Sequence, residues 1–417
     1  MENANTKLAQ LAAPAVLLLA TVAGLVLSNT TFAEFYTKTL ATGVLFELGS
    51  YTFIDKPVLL LVNDGLMAVF FLYIGLELKR EIIVGELSDY KKAVLPIFAA
   101  LGGMAIPALI YFAISPTGPQ AAGWGIPMAT DIAFALGLLT VLGSRVPASL
   151  KVMLTAIAIV DDLGAILVIA LFYTSQIDST ALLFAAGLLG LCIAANRAGI
   201  KKVSVYMLLG IPLWYFTLKS GIHATIAGVL LAMTIPLSKK GANQAKLISD
   251  IFTKKASPLD SPAVFLEKSL TKWVAFVIIP IFAFCNAGIS LADAAVGGVS
   301  MGIIAGLFIG KPLGIAGGAF LATKLGIATL PKSVNWGQII GLGFLGGVGF
   351  TMSLFIGSLA FTSAALIAQA KMGILIASLA AAIAGLTMLA LASRAPVKQQ
   401  KIYRVKSSEN IDWQLLV

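Results

Sequence analysis

Apolar runs, each long enough to cross a bilayer as a helix, follow one another along this chain almost without interval. They fall near 11–29, 58–78, 93–114, 122–142, 149–174, 180–196, 203–218, 222–237, 273–290, 299–322, 336–358 and 372–393. A spanning helix needs about 20 mostly apolar residues, so the pattern predicts an all-α polytopic membrane protein with about twelve transmembrane helices. The composition agrees, with 59% hydrophobic and only 12% charged residues. A soluble fold of this size could not cover its surface with so few charges, and the same numbers exclude disorder, collagen and coiled coil. Forty glycines and sixteen prolines suit packed membrane helices. Cys192 and Cys285 both lie in apolar stretches, which implies neither a disulfide framework nor a zinc site. Residues 1–417 read as one membrane domain.

The first run, Leu11–Leu27, is too long for the apolar core of a signal peptide, and no clean cleavage site follows it. An even number of spans puts both termini on one side, and the basic residues say which. With a cytoplasmic N-terminus, only Lys38, Lys56, Lys219 and Lys371 of the 29 lysines and arginines fall outside, and Lys311 falls within a span. Both termini are therefore expected in the cytoplasm. The net charge of +10 is then topology and no sign of nucleic-acid binding. The polybasic cytoplasmic loop 238–272 can at most touch anionic membrane lipid.

Between the first two runs, Val44–Ile54 alternates about Gly49-Ser50, as in a short extramembrane β-hairpin. An ordinary loop is the competing reading. A hairpin would leave exposed edges able to pair with a second copy, so a homodimer is expected.

Asp64, Asp131, Asp161, Asp162 and Lys311 lie inside predicted spans. Each charge at mid-bilayer costs about 2.5–3.5 kcal/mol, so the five together cost roughly 15 kcal/mol before pairing. Such groups mark ion or proton pathways. Asp161 and Asp162 are consecutive, about 100° apart around a helix, so one cavity can touch both. In a low dielectric they cannot easily both be ionised. The pair can hold protons or a small hard cation, which wants oxygen ligands, and that competition is the core of an exchanger. A purely structural pair, bonded to neighbouring helices, is the alternative.

Two spans should be broken. Pro127 precedes Thr130-Asp131 and removes a backbone donor. Five glycines stand between 341 and 349. Unwound backbone at membrane depth is tolerated where it lines a cavity or is buried in protein. Half-helix ends carry partial charges, which gives Asp131 the positive ends and Lys311 the negative ones. Lys311 could otherwise snorkel to an interface. The broken spans are the middle members of two triplets, 93–174 and 299–393. An odd number of crossings relates the triplets, so they form inverted repeats with a site at the midplane.

NDGLMAVFFLYIGLELKRE (63–81), ATDIAFALG (129–137), LGSRVP (142–147), AIVDDLGA (158–165), SGIHATIAGV (220–229), FAFCNAGIS (282–290), GKPLGI (310–315) and GGVGFTMSLFI (346–356) together resemble the NhaA-type sodium/proton antiporters. The likeness runs in order over about 10–392. It implies that Asp161 and Asp162 bind Na+ or Li+ and exchange H+, with Thr130 near the site and no cofactor. Asp131 and Lys311 would compensate two interrupted helices crossing at the midplane, and Lys311 would pair with an aspartate when the cation is absent. It further implies two protons inward per cation outward, activation at alkaline pH, and residence in a bacterial inner membrane. Glu77, Glu81 and Glu267 would belong to a pH-responsive region; from the residues alone a solvated helix end suits each equally. His223 suits a pH switch or helix packing. Asp64 fits the family pattern or merely bonds its neighbours. The 238–272 loop is longer and richer in lysine than the family leads one to expect and has no histidine.

An intramembrane aspartyl protease would carry its aspartates on two helices with a GxGD motif, absent here, and has no use for a buried lysine. A sodium-coupled symporter would need a large organic-substrate cavity. A channel needs no paired titrating groups.

Overall fold

The structure, a computed structural model, describes residues 4–49, 51–174, 177–237, 261–290 and 296–393. Helix α1 (Ala4–Ser28) and the short α2 (Ala33–Ala41) lead into a hairpin of β1 (Gly43–Leu48) and β2 (Tyr51–Pro57). The strands pair antiparallel, Leu45 opposite Asp55 and Leu48 opposite Tyr51. Gly49 turns the chain at φ 65, as the alternation over Val44–Ile54 predicts.

The helices that follow are α3 (Val58–Ile83), α4 (Tyr90–Ile114), a 3-10 segment (Pro119–Met128), α5 (Ile132–Val141), α6 (Ala148–Phe172) and α7 (Ser179–Arg197). After these come α8 (Val203–Lys219), α9 (Thr225–Thr234), α10 (Pro262–Ala287) and α11 (Gly298–Lys324). The last are α12 (Trp336–Gly346), α13 (Phe350–Ala360) and α14 (Ala364–Ala392). Among the described residues eight helices are long and apolar enough to cross a membrane, and up to ten if each of two bent pairs is one span. The chain is a multi-pass, mostly helical membrane protein.

Two windows depart from the expected boundaries. Residues 203–237 hold helices of 17 and 10 residues; ten residues rise only about 15 Å, half a hydrocarbon core. Gly221 at φ 84 stops helical continuity, so His223 stands in a turn between α8 and α9. The span expected to begin at 273 begins at Pro262, and the expected loop 238–272 ends in helix. The rest of that loop, to 260, lies outside the described residues.

Packing then positions the site. α4 lies against α11 at glycines: a Cβ on Gly102 would strike the Gly314 carbonyl, one on Gly314 the Gly102 carbonyl, and one on Gly318 that of Phe98. Small residues let membrane helices approach this closely. Gly103 makes room for Ile315, one turn beyond Lys311; a Cβ there would strike Ile315 Cγ1 at 2.7 Å. Gly314→Leu should therefore part the two helices and yield aggregated or early-melting protein. Size-exclusion profiles after mild heating check this.

Candidate functional site

Each predicted break is present. The 3-10 segment and α5 meet at 43°, and α12 and α13 at 45°. The two breaks touch one another. The Asp131 N–H donates to the Val348 carbonyl at 2.7 Å, and the Ser353 hydroxyl to that of Ile126 at 2.8 Å.

Asp131 holds two helix starts at once. Its Oδ1 accepts the Phe134 N–H at 2.9 Å at the N-terminus of α5. Its Oδ2 accepts the Thr351 N–H at 3.2 Å, at the N-terminus of α13, and the Thr351 hydroxyl at 2.5 Å. One buried carboxylate thus answers two positive dipole ends.

Asp161 and Asp162 sit in the middle of α6 with 0% and 1% exposure. Lys311, equally buried, places Nζ 2.5 Å from Asp161 Oδ2 and 3.0 Å from Thr130 Oγ1. The Thr130 hydroxyl stands 2.8 Å from both Asp161 Oδ2 and the Gly346 carbonyl. It has one proton for the two acceptors. Lys311 was expected at the negative helix ends and, by the resemblance, beside an aspartate; it contacts Asp161 directly and, among the described residues, is linked to the α12 C-terminus through Thr130. Asp161 Oδ1 and Asp162 Oδ1 are buried acceptors without a partner among the described residues. Oxygens of that kind suit a proton or a hard cation.

A cavity of about 170 Å3 touches Asp162, Asp131 and Thr351 and extends past Tyr73 to Glu77 and Thr271. Beyond Glu77 lies an ionic cluster whose hub is Arg80. Its Nε donates to both oxygens of Glu267, at 2.9 and 3.1 Å. Its Nη1 donates to Glu81 at 2.5 Å, and its Nη2 lies 3.8 Å from Glu77. Sequence reasoning named the three glutamates but not their hub. Glu77 and Glu81 flank Arg80 in the chain, whereas Glu267 is 187 residues away. Lys79 was also missed. It is buried and donates to the Met233 and Ile235 carbonyls at 2.8 and 2.5 Å, a cation on the C-terminus of α9.

Asp64 and His223 make no described contact with either group. Asp64 pairs with Lys56 at 2.8 Å, and its backbone carbonyl accepts the Trp214 indole N–H. His223 Nε2 lies 2.6 Å from the Tyr173 carbonyl, a contact that suits packing of the turn.

Comparison with known proteins bears on this geometry. The profile of the Na+/H+ antiporter 1 family matches residues 6–389. The Na(+)/H(+) antiporter NhaA of Pseudomonas putida strain GB-1 is 48% identical over 405 residues, 95% of this chain and 99% of that one. The protein of the same name from Cronobacter sakazakii is 49% identical over 390 residues, 91% and 95% of the two chains. NhaA 2 of Erythrobacter litoralis is 46% identical over 398 residues, 94% of each.

Proposed function

The chain belongs to the Na+/H+ antiporter 1 family, and from that premise we propose that it expels one Na+ or Li+ for two H+ taken up, through Asp161 and Asp162. It is a transporter and not an enzyme. The transported ions are its ligands, and no resident cofactor takes part.

The observation that carries the mechanism is the buried Asp161, bonded to Lys311 and Thr130, beside an Asp162 that faces the cavity. In the cation-free state Lys311 holds Asp161 and a proton holds Asp162. An entering cation is bound by oxygens of both carboxylates and of Thr130. One proton then leaves Asp162 and a second leaves the Lys311–Asp161 pair. Asp131, fixed on two helix ends, takes no part in the exchange and keeps the crossing neutral. Two charges inward against one outward move net charge, so 100 mV contributes about 2.3 kcal/mol per cycle.

The rest of the reading follows the same premise. Residues 1–417 form one domain of the bacterial inner membrane with both termini cytoplasmic. Helices α8 and α9 complete twelve crossings, and 93–174 and 299–393 are inverted repeats meeting at the midplane. Val44, Leu45 and Phe46, all exposed on the hairpin, support a homodimer paired along its edge.

The Arg80 cluster, at the cytoplasmic mouth of the cavity, sets the alkaline activation. Arg80 ties Glu81 on its own helix to Glu267 on α10, so Arg80→Gln should unlink the two helices at the cavity mouth and displace the pH midpoint of activity. Rates at stepped pH in everted vesicles check this. The function itself is tested by proton release from acidified everted vesicles. Sodium and lithium should each release protons and potassium should not; no cation-driven release at any pH would refute the assignment.

A further inference from the structure

The face of α11 that turns away from α4 is bare. Leu313 and Phe320 are 60% and 54% exposed. Between this face and α12 runs an open cleft of about 510 Å3, within the range of roughly 300–1,000 Å3 typical of ligand clefts. Phe308 and Phe344 close its deep end, ring centroids 5.4 Å apart. Phe320 and Trp336 flank the other end at 5.8 Å. Gly317 keeps the space between them open, since a Cβ there would meet nothing within 4 Å.

The chemistry changes only at the Trp336 end. There the Lys324 ammonium stands 6.0 Å over the Phe320 ring, exposed at the last turn of α11. An apolar slot at membrane depth is filled by hydrocarbon. A tryptophan and a lysine at its mouth match the glycerol and phosphate level of a lipid. A neutral headgroup would leave the lysine without a counter-charge, and a free phosphate would leave the slot without an occupant. We propose that this cleft binds one acyl chain of an anionic phospholipid, with the phosphate on Lys324. The binding follows from the cleft and does not rest on the orientation proposed above.

The test uses full-length protein in phosphatidylcholine vesicles containing a small fraction of phosphatidylglycerol brominated on its acyl chains. The signal is the part of the tryptophan quenching lost in Trp336→Phe. Brominated phosphatidylglycerol should quench this part about fivefold more effectively than brominated phosphatidylcholine, the worth of one lysine at an anionic surface. Lys324→Gln should bring the two lipids level. Gly317→Leu places a side chain in the cleft with no backbone collision and should reduce quenching by both. Equal quenching by the two lipids in the unmodified protein would mean annular contact only and overturn the site. So would quenching unaffected by Gly317→Leu in protein of normal melting temperature.

Discussion

Lys311→Met should cost the protein about 3–5 kcal/mol of stability, because it leaves Asp161 as a buried carboxylate without its counter-charge. Both side chains are fully buried, and Nζ stands 2.5 Å from Oδ2, so the carboxylate is cut off from bulk solvent. A proton can replace it. The loss should therefore be small in acid, where Asp161 is protonated, and grow as pH rises. Melting curves of purified protein from acid to alkaline pH check the sign. Asp161→Asn combined with Lys311→Met should recover much of the loss, since it removes the orphaned charge. A melting temperature equally depressed at every pH would mean that lost packing, and not charge, is responsible.

Asp162→Asn should abolish exchange, a fall of at least a hundredfold in sodium-driven proton movement, while the fold survives. Its Oδ1 has no hydrogen-bond partner among the described residues that the substitution would break, and the amide is nearly isosteric. What disappears is the charge that attracts the cation and the acid that gives up a proton. Asp131→Asn should behave differently. Asp131 holds the starts of α5 and α13 through Phe134 and Thr351, so the loss should fall on melting temperature as well as on rate. Transport assays and melting curves for the two variants, read side by side, separate an ion ligand from a structural anion.

The parts of this molecule legible in the sequence are those encoded locally. Long apolar runs mark helices. Pro127 and the glycines of 341–349 announce the two breaks, and consecutive aspartates in an apolar helix announce a site. Pairings across the chain are another matter. Lys311 and Asp161 are 150 residues apart; the family resemblance implies an aspartate partner for Lys311, but nothing in either neighbourhood says which. The same holds for Arg80 and Glu267. The double role of Asp131 was half legible: it precedes a helix, but the second helix it holds lies 220 residues on. Boundaries failed where hydropathy misleads. The first turns of α10 carry Glu267, Lys268 and Lys272, which depress the hydropathy of 262–272. The long stems of such lysines can nonetheless lie along apolar surface with their heads in water, and Glu267 is neutralised by Arg80. The break near Gly221 was expected, but α9 is shorter than its apolar run 222–237 at both ends, because hydropathy marks the apolar stretch and not where the helix within it starts and stops.

The central claim is that one set of oxygens, on Asp161 and Asp162, holds either the cation or protons. Its most direct test is the number of protons released when purified protein in weakly buffered solution is titrated with sodium. Competition at the pair predicts more than one proton released per sodium bound near neutral pH, and loss of both binding and release in Asp162→Asn. Sodium binding that releases no protons, or that persists unchanged in Asp162→Asn, would contradict it.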